Sequence, residues 1–135
     1  MTLKSFASLG AVGLVFLAIG CSGRGLHSVR GKVVFAEDGS PLGGGWVYFE
    51  NKDGGGSPDS PIASDGSFEL RTAQPGDGAA PGTYRVMIKP PEQSVPEGQR
   101  RPLIIDPRFT SFETSGIELV VEAKKNFFEI KVKKP

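Results

Sequence analysis

The sequence predicts an all-β domain over residues 28–135: an antiparallel Greek-key β-sandwich of about seven strands. Three observations carry this. Apolar and polar residues alternate with a period of two in one short segment after another, which is the mark of a half-buried strand. Turn formers separate these segments, with 19 Gly and 11 Pro among 135 residues, above the usual share. After residue 20 no stretch sustains a helical period. Short strands with turn signals between them are the pattern of a sandwich.

The elements follow in order. Val29, Gly31, Val33 and Phe35 share one side of an extended segment, and Arg30 and Lys32 share the other. Asp38-Gly39-Ser40-Pro41-Leu42 is a turn, because Asp and Gly accept tight-turn dihedrals, and Gly43-Gly44-Gly45 continues it. Trp46 to Glu50 is a second strand, with Val47 and Phe49 on one face and Trp46 and Tyr48 on the other. Residues 51–61 form a polar loop, and a short strand is expected at Ile62-Ala63. Asp65-Gly66 is a hairpin signal, after which Phe68 and Leu70 point inward. A loop over residues 72–81 leads to a cleanly alternating strand, Gly82 to Lys89, with Tyr84, Val86 and Ile88 inward. Pro90-Pro91 ends it, since proline cannot donate to a ladder. After a long proline-bearing stretch, Ile117, Leu119 and Val121 face in on one strand. Phe128, Ile130 and Val132 face in on the last, and residues 123–126 turn between the two.

The first 21 residues carry a different signal. Lys4 precedes an apolar stretch from Phe6 to Ile19, and Gly20 precedes the single cysteine, Cys21. Basic, apolar, then small is the order of a secretory signal peptide. The apolar stretch is too short for a spanning helix, which needs roughly 20 apolar residues. A secreted chain with one unpaired thiol is unusual. With Cys21 directly after Gly20, the segment resembles the lipobox of bacterial lipoproteins, although Ala18 stands where Leu is commonest. The resemblance implies cleavage between Gly20 and Cys21 and acylation of Cys21. Residues 1–20 are then a signal peptide, 21–27 a lipidated tether and 28–135 the folded domain. Ser22, being other than Asp, points to the outer membrane under the common sorting rule.

Composition excludes several roles. Lys4 is the one charged residue before position 21, so 15 basic and 15 acidic side chains remain and cancel. No basic field supports nucleic-acid binding. A serine hydrolase needs a nucleophile, a base and an oxyanion hole, yet no Gly-x-Ser-x-Gly elbow occurs and the one histidine, His27, lies in the tether. Zinc needs several Cys or His ligands. Asp53, Asp59 and Asp65 suit a hard cation, but they form no Asp-x-Asp-x-Asp loop and read as turn residues. No cofactor and no metal are expected.

The running pattern of the domain resembles carboxypeptidase-regulatory-like domains. The matching steps are Val29-x-Gly31-x-Val33, Gly39-x-Pro41-Leu42, Val47-x-Phe49, Asp65-Gly66-x-Phe68 and Gly82-x-Tyr84-x-Val86. Ile105-Asp106-Pro107-Arg108-Phe109 through Asn126-Phe127-Phe128 is similar to a group of small bacterial lipoproteins with this domain. The resemblance implies a transthyretin-like sandwich that acts as a folding or interaction module, with the Tyr84 hydroxyl bonded back to the main chain as in a tyrosine corner. The enzymatic transthyretin-like branch, which hydrolyses 5-hydroxyisourate, ends in Tyr-Arg-Gly-Ser; this chain ends Lys-Val-Lys-Lys-Pro.

Two surfaces are candidates for contact. Trp46 and Tyr48, opposite the core side of their strand, can stack on a sugar or anchor a protein partner. Arg100 and Arg101 lie in the 90–114 loop, where a long loop in a compact domain is often functional. Lys124, Lys125, Lys131, Lys133 and Lys134 either guard a sheet edge or meet anionic lipid or glycan. The expected protein is non-enzymatic and lipid-anchored in the cell envelope, with a protein or glycan partner. The rival readings are a carbohydrate-binding surface protein and an accessory subunit of an enzyme or transporter.

Overall fold

The structure is a computed structural model that describes residues 25–135. The leader, the Gly20–Cys21 cleavage site and most of the tether lie outside the described residues. The chain is an all-β sandwich of seven strands: β1 (Val29–Phe35), β2 (Trp46–Asn51), β3 (Asp59–Pro61), β4 (Ser67–Glu69), β5 (Gly82–Lys89), β6 (Ile117–Val121) and β7 (Asn126–Val132). One sheet has the order β4-β1-β7 and the other β3-β2-β5-β6.

The period-two readings hold. Val29, Gly31 and Val33 of β1 are buried while Arg30 and Lys32 are exposed. Val47 and Phe49 of β2 and Tyr84, Val86 and Ile88 of β5 are buried in the same way. Val34 departs from the alternation. It faces outward yet is buried, because the turn after β1 folds back over it with Pro41 bridged to Val34.

On the inner face of the first sheet, Gly31 stands between Phe68 on β4 and Phe128 on β7. The Phe68 ring leans over Gly31, and a Cβ there would lie 2.5 Å from its Cζ and would collide with the Phe128 carbonyl. Phe49 of the second sheet meets both rings, at 6.3 Å and 6.4 Å between centroids, and also Tyr84 at 5.9 Å. Offset and tilted aromatic pairs at such spacing are favourable beyond their buried area. Glycine in a strand marks a place where something comes close, and here it is a ring. The Tyr84 hydroxyl donates to the Ala80 carbonyl at 2.7 Å, as the resemblance implied.

The two Asp-Gly-Ser triplets build the same turn. Asp38 accepts from the Ser40 amide at 3.0 Å and hydroxyl at 2.6 Å, and Asp65 does so from Ser67 at the same two distances. Gly39 and Gly66 supply the positive φ, +72° and +84°.

Four expectations change. The sandwich is not wholly antiparallel, because β1 and β7 pair in parallel over seven residues, Val29↔Asn126 to Phe35↔Val132. A parallel pair needs a long crossover, and the whole chain between them supplies it. The Asp65-Gly66 turn does not close a simple hairpin. Ala63 and Ser67 still pair across it, but β3 then joins β2 and β4 joins β1. The arms meet again at the Asp59–Arg71 bridge, so this edge of the sandwich is closed. The short strand is Asp59–Pro61 rather than Ile62-Ala63. Finally, His27 already belongs to the fold, exchanging two main-chain hydrogen bonds with Ala79 at 2.9 Å and 3.0 Å.

The chain therefore enters at one end, the base, with the 72–81 loop and the β6–β7 corner. Buried Asn126 makes that corner. Its amide donates to the Lys124 carbonyl at 2.7 Å and its oxygen accepts from the Glu122 amide at 3.0 Å. The 90–114 loop lies at the other end. In its apolar half Ile105 and Phe109 are buried, while Leu103 is 62% exposed. The Asp106 amide reaches the Lys133 carbonyl, and a short 3-10 turn follows at Pro107–Thr110.

Two substitutions test this core. Gly31→Ala should lower stability by about 1–3 kcal/mol through overpacking, read as a lower midpoint in urea. Tyr84→Phe should cost about 1 kcal/mol, because the Ala80 carbonyl loses its donor.

Candidate functional site

Alternation on β2 and β5 sends Trp46, Tyr48, Glu50, Arg85 and Met87 to the outer face of the four-stranded sheet. In register, Tyr48 sits beside Met87 and Glu50 beside Arg85. Trp46 and Tyr48 are half-buried, with ring centroids 6.3 Å apart and planes 23° from parallel. Trp46 is flanked by a cation: the Arg71 guanidinium lies 5.4 Å from its ring, held by an ion pair to Asp59 at 3.0 Å. At the other end of the face Arg85 pairs with Glu50 at 2.9 Å and lies 5.9 Å from the Phe112 ring. The Glu50 hydrogen bond pushes the Arg85 guanidinium further up, so its charge is permanent.

The arginines on this face are Arg71 and Arg85, not Arg100 and Arg101. Those two are exposed in the 90–106 segment at the far end. There Arg101 lines a hollow of about 310 Å³ with Lys89, Pro91 and Leu103. Lys89 is the link between the two places, since it lies opposite Trp46 in register. Alternation with inward Phe68 and Leu70 marks Arg71 as an outward residue and no more. Its approach to Trp46 depends on the split of β3 from β4, which has no local signal.

A second hollow, about 560 Å³, opens on the three-stranded sheet among Arg30, Lys32, Glu69, Phe127 and Pro75-Gly76 of the 72–81 loop, and Arg71, at the edge between the two faces, lines it as well. Arg30 and Glu69 pair across it at 3.3 Å. The loop that walls it is held by Asp77, whose carboxylate accepts from the Thr72, Ala73 and Gln74 amides at 2.7–3.0 Å. Among the described residues, no three His, Cys, Asp or Glu side chains gather as a metal site. Asp59 and Asp65 are spent on Arg71 and the Ser67 turn.

No protein-family model matches this chain, and no curated protein matches it. Among solved structures it is similar to a DUF3823 family protein from Bacteroides uniformis ATCC 8492, at 17% identity and a TM-score of 0.47, over 79% of this chain and 43% of that one. A DUF3823 family protein from Bacteroides ovatus ATCC 8483 is similar at 18% identity and 0.44, over 79% and 44%. The chain thus spans less than half the length of either.

The Asp77 contacts set a pH dependence. Partial desolvation raises its carboxyl, but the three amide donors outweigh it and hold the pKa below the ordinary value. A depressed carboxylate stabilises fully above its unfolded value of about 3.9 and loses that contribution as the pH falls through the lower folded value. The protection of the Thr72 to Gln74 amides, taken against the intrinsic exchange rate at each pH, should therefore be high at neutral pH and fall below about pH 4. Asp77→Asn should lower that protection at neutral pH as well.

Proposed function

We propose that this is a lipid-anchored cell-envelope protein whose sandwich is a non-enzymatic, carboxypeptidase-regulatory-like module for binding another protein. The observation that carries the reading is the composition of the outer face of the β3-β2-β5-β6 sheet. Trp46, Tyr48, Met87, Arg71 and Arg85 lie together there. Aromatic residues, Met and Arg are the types enriched in the cores of protein interfaces. The face has the preorganisation that binding favours, because Arg71 and Arg85 are already held by Asp59 and Glu50. Neither of the two hollows described above is lined by Trp46 or Tyr48. A broad face suits a protein surface better than a small ligand, which is usually taken up in a concave site.

The anchor in this reading is acylated Cys21 after removal of residues 1–20, in the outer membrane. Three acyl chains exceed the two signals that stable anchoring takes.

The test is a pull-down of tagged full-length protein from gently solubilised native membranes. One stoichiometric partner is expected. Trp46→Ala should weaken its binding by about 30-fold or more if Trp46 is an interface anchor worth about 2 kcal/mol. Arg85→Glu should also weaken it, and Arg100→Ala should not. Retention of the partner by both face variants would overturn the reading. Quenching of Trp46, the single tryptophan, by glycans without any protein partner would replace it with a carbohydrate-binding surface.

A further inference from the structure

The opposite face of the sandwich has a different character. Alternation sends Arg30 and Lys32 of β1, Ser67 and Glu69 of β4, and Phe127, Glu129 and Lys131 of β7 outward. Lys125 and Lys133 flank β7 in the same phase, and both are exposed. Five cationic side chains there face three carboxylates, Glu69, Glu129 and Asp65, the last in the field of Lys32. The outer face of the other sheet balances: Lys52, Arg71, Arg85 and Lys89 stand against Glu50, Asp59, Glu113 and Glu118. The domain has therefore sorted its charge, with the excess of cations on the β4-β1-β7 face. Arg30 pairs with Glu69 at 3.3 Å and Lys131 with Glu129 at 3.8 Å, while Lys32, Lys125 and Lys133 make no ion pair among the described residues.

Phe127 is the apolar member of this face. It is 67% exposed, although its neighbours Asn126 and Phe128 are drawn into the fold. It lies beside Arg30 in register, and both line a basal hollow of about 270 Å³ with Ser28, Lys125 and Asn126. Leu26, also exposed, precedes it at the same end. An exposed aromatic ringed by cations is the pattern of a peripheral contact with a bilayer: the ring enters the interface and the cations meet anionic headgroups. Edge protection explains the lysines of β7, which is an edge strand. It does not explain Phe127.

The chain itself brings this face to a membrane. Ser28, just before β1, is seven residues from Cys21, so the base cannot stand more than about 25 Å from the acylated residue. A tether of this length lets the base come down into the headgroup field, which falls off within a Debye length, about 10 Å at 0.1 M salt.

We propose that the β4-β1-β7 face, with Phe127 inserted and Lys32, Lys125 and Lys133 on headgroups, docks on an anionic membrane surface. The proposal rests on the Cys21 anchor. It orients the domain, so that the Trp46 and Tyr48 face on the other side of the sandwich points away from the bilayer.

The test uses full-length protein purified from membranes and reconstituted into phosphatidylglycerol or phosphatidylcholine vesicles. In a W46F background, F127W places the only indole at the docking face, at a position exposed enough to tolerate it. Its emission should shift to the blue and be quenched by brominated lipid in phosphatidylglycerol vesicles. Both effects should shrink in phosphatidylcholine and with the added K125E and K133E changes, while the protein still floats with the vesicles. The wild-type indole at Trp46 should remain unquenched throughout. Flotation with an unquenched indole at position 127 would overturn the docking face and leave the anchor standing. Failure of the wild type to float would overturn the anchor and, with it, the short tether on which docking depends.

Discussion

The row Phe68–Gly31–Phe128, with Phe49 set against it from the opposite sheet, is the contact on which the rest of the structure depends. It is where the two sheets meet through their largest side chains, and it works because the middle position has no side chain. Phe68 occupies the space over Gly31 that a Cβ would take. Close-packed interiors tolerate little change in volume, so a large–small–large row fixes both the register of β4 and β7 on β1 and the spacing of the sheets. With no disulfide available to a chain with one cysteine, packing of this kind has to hold the fold.

That packing also settles what each face presents. Once Val47, Phe49, Val86 and Ile88 are committed inward, the pleat leaves Trp46, Tyr48, Arg85 and Met87 no place but the outer surface. The same rule on β1 and β7 places Arg30, Lys32, Phe127 and Lys131 on the other surface. The sandwich thereby separates an aromatic and arginine-bearing face, charge-balanced, from a cationic face. The parallel pairing of β1 with β7 adds a constraint along the other axis, bringing the beginning and the end of the domain to the same end-to-end alignment. The tether, the β6–β7 corner and the 72–81 loop gather at the base, and the 90–114 loop closes the far end over Ile105.

Within the candidate site, the sequence made part of the arrangement legible. Trp46 and Tyr48 fall out of step with the core side of their strand, and that alone places them outside. Their cationic neighbours were not legible. Arg71 is 25 positions from Trp46, and no spacing rule joins them. Arg100 and Arg101, drawn to notice by their long loop, belong to the far end. The resemblance of the segments around Gly31, Phe49 and Tyr84 to a known domain type added the tyrosine corner, and the Tyr84–Ala80 hydrogen bond bears it out.

The sequence by itself determined the six strands other than Asp59–Pro61, their inward sides and the Asp-Gly-Ser turns, because each rests on residues within a few positions of one another. Side-chain alternation and a carboxylate accepting from an amide two residues on are local physics. The tertiary structure alone decided which strands pair. The parallel β1–β7 ladder, the parting of β3 and β4 into different sheets and the placement of Arg71 over Trp46 all join positions far apart in the chain. Loop closure costs nearly the same for many such pairings, so only the packing that satisfies all of them together, around Gly31 and Phe49, selects one.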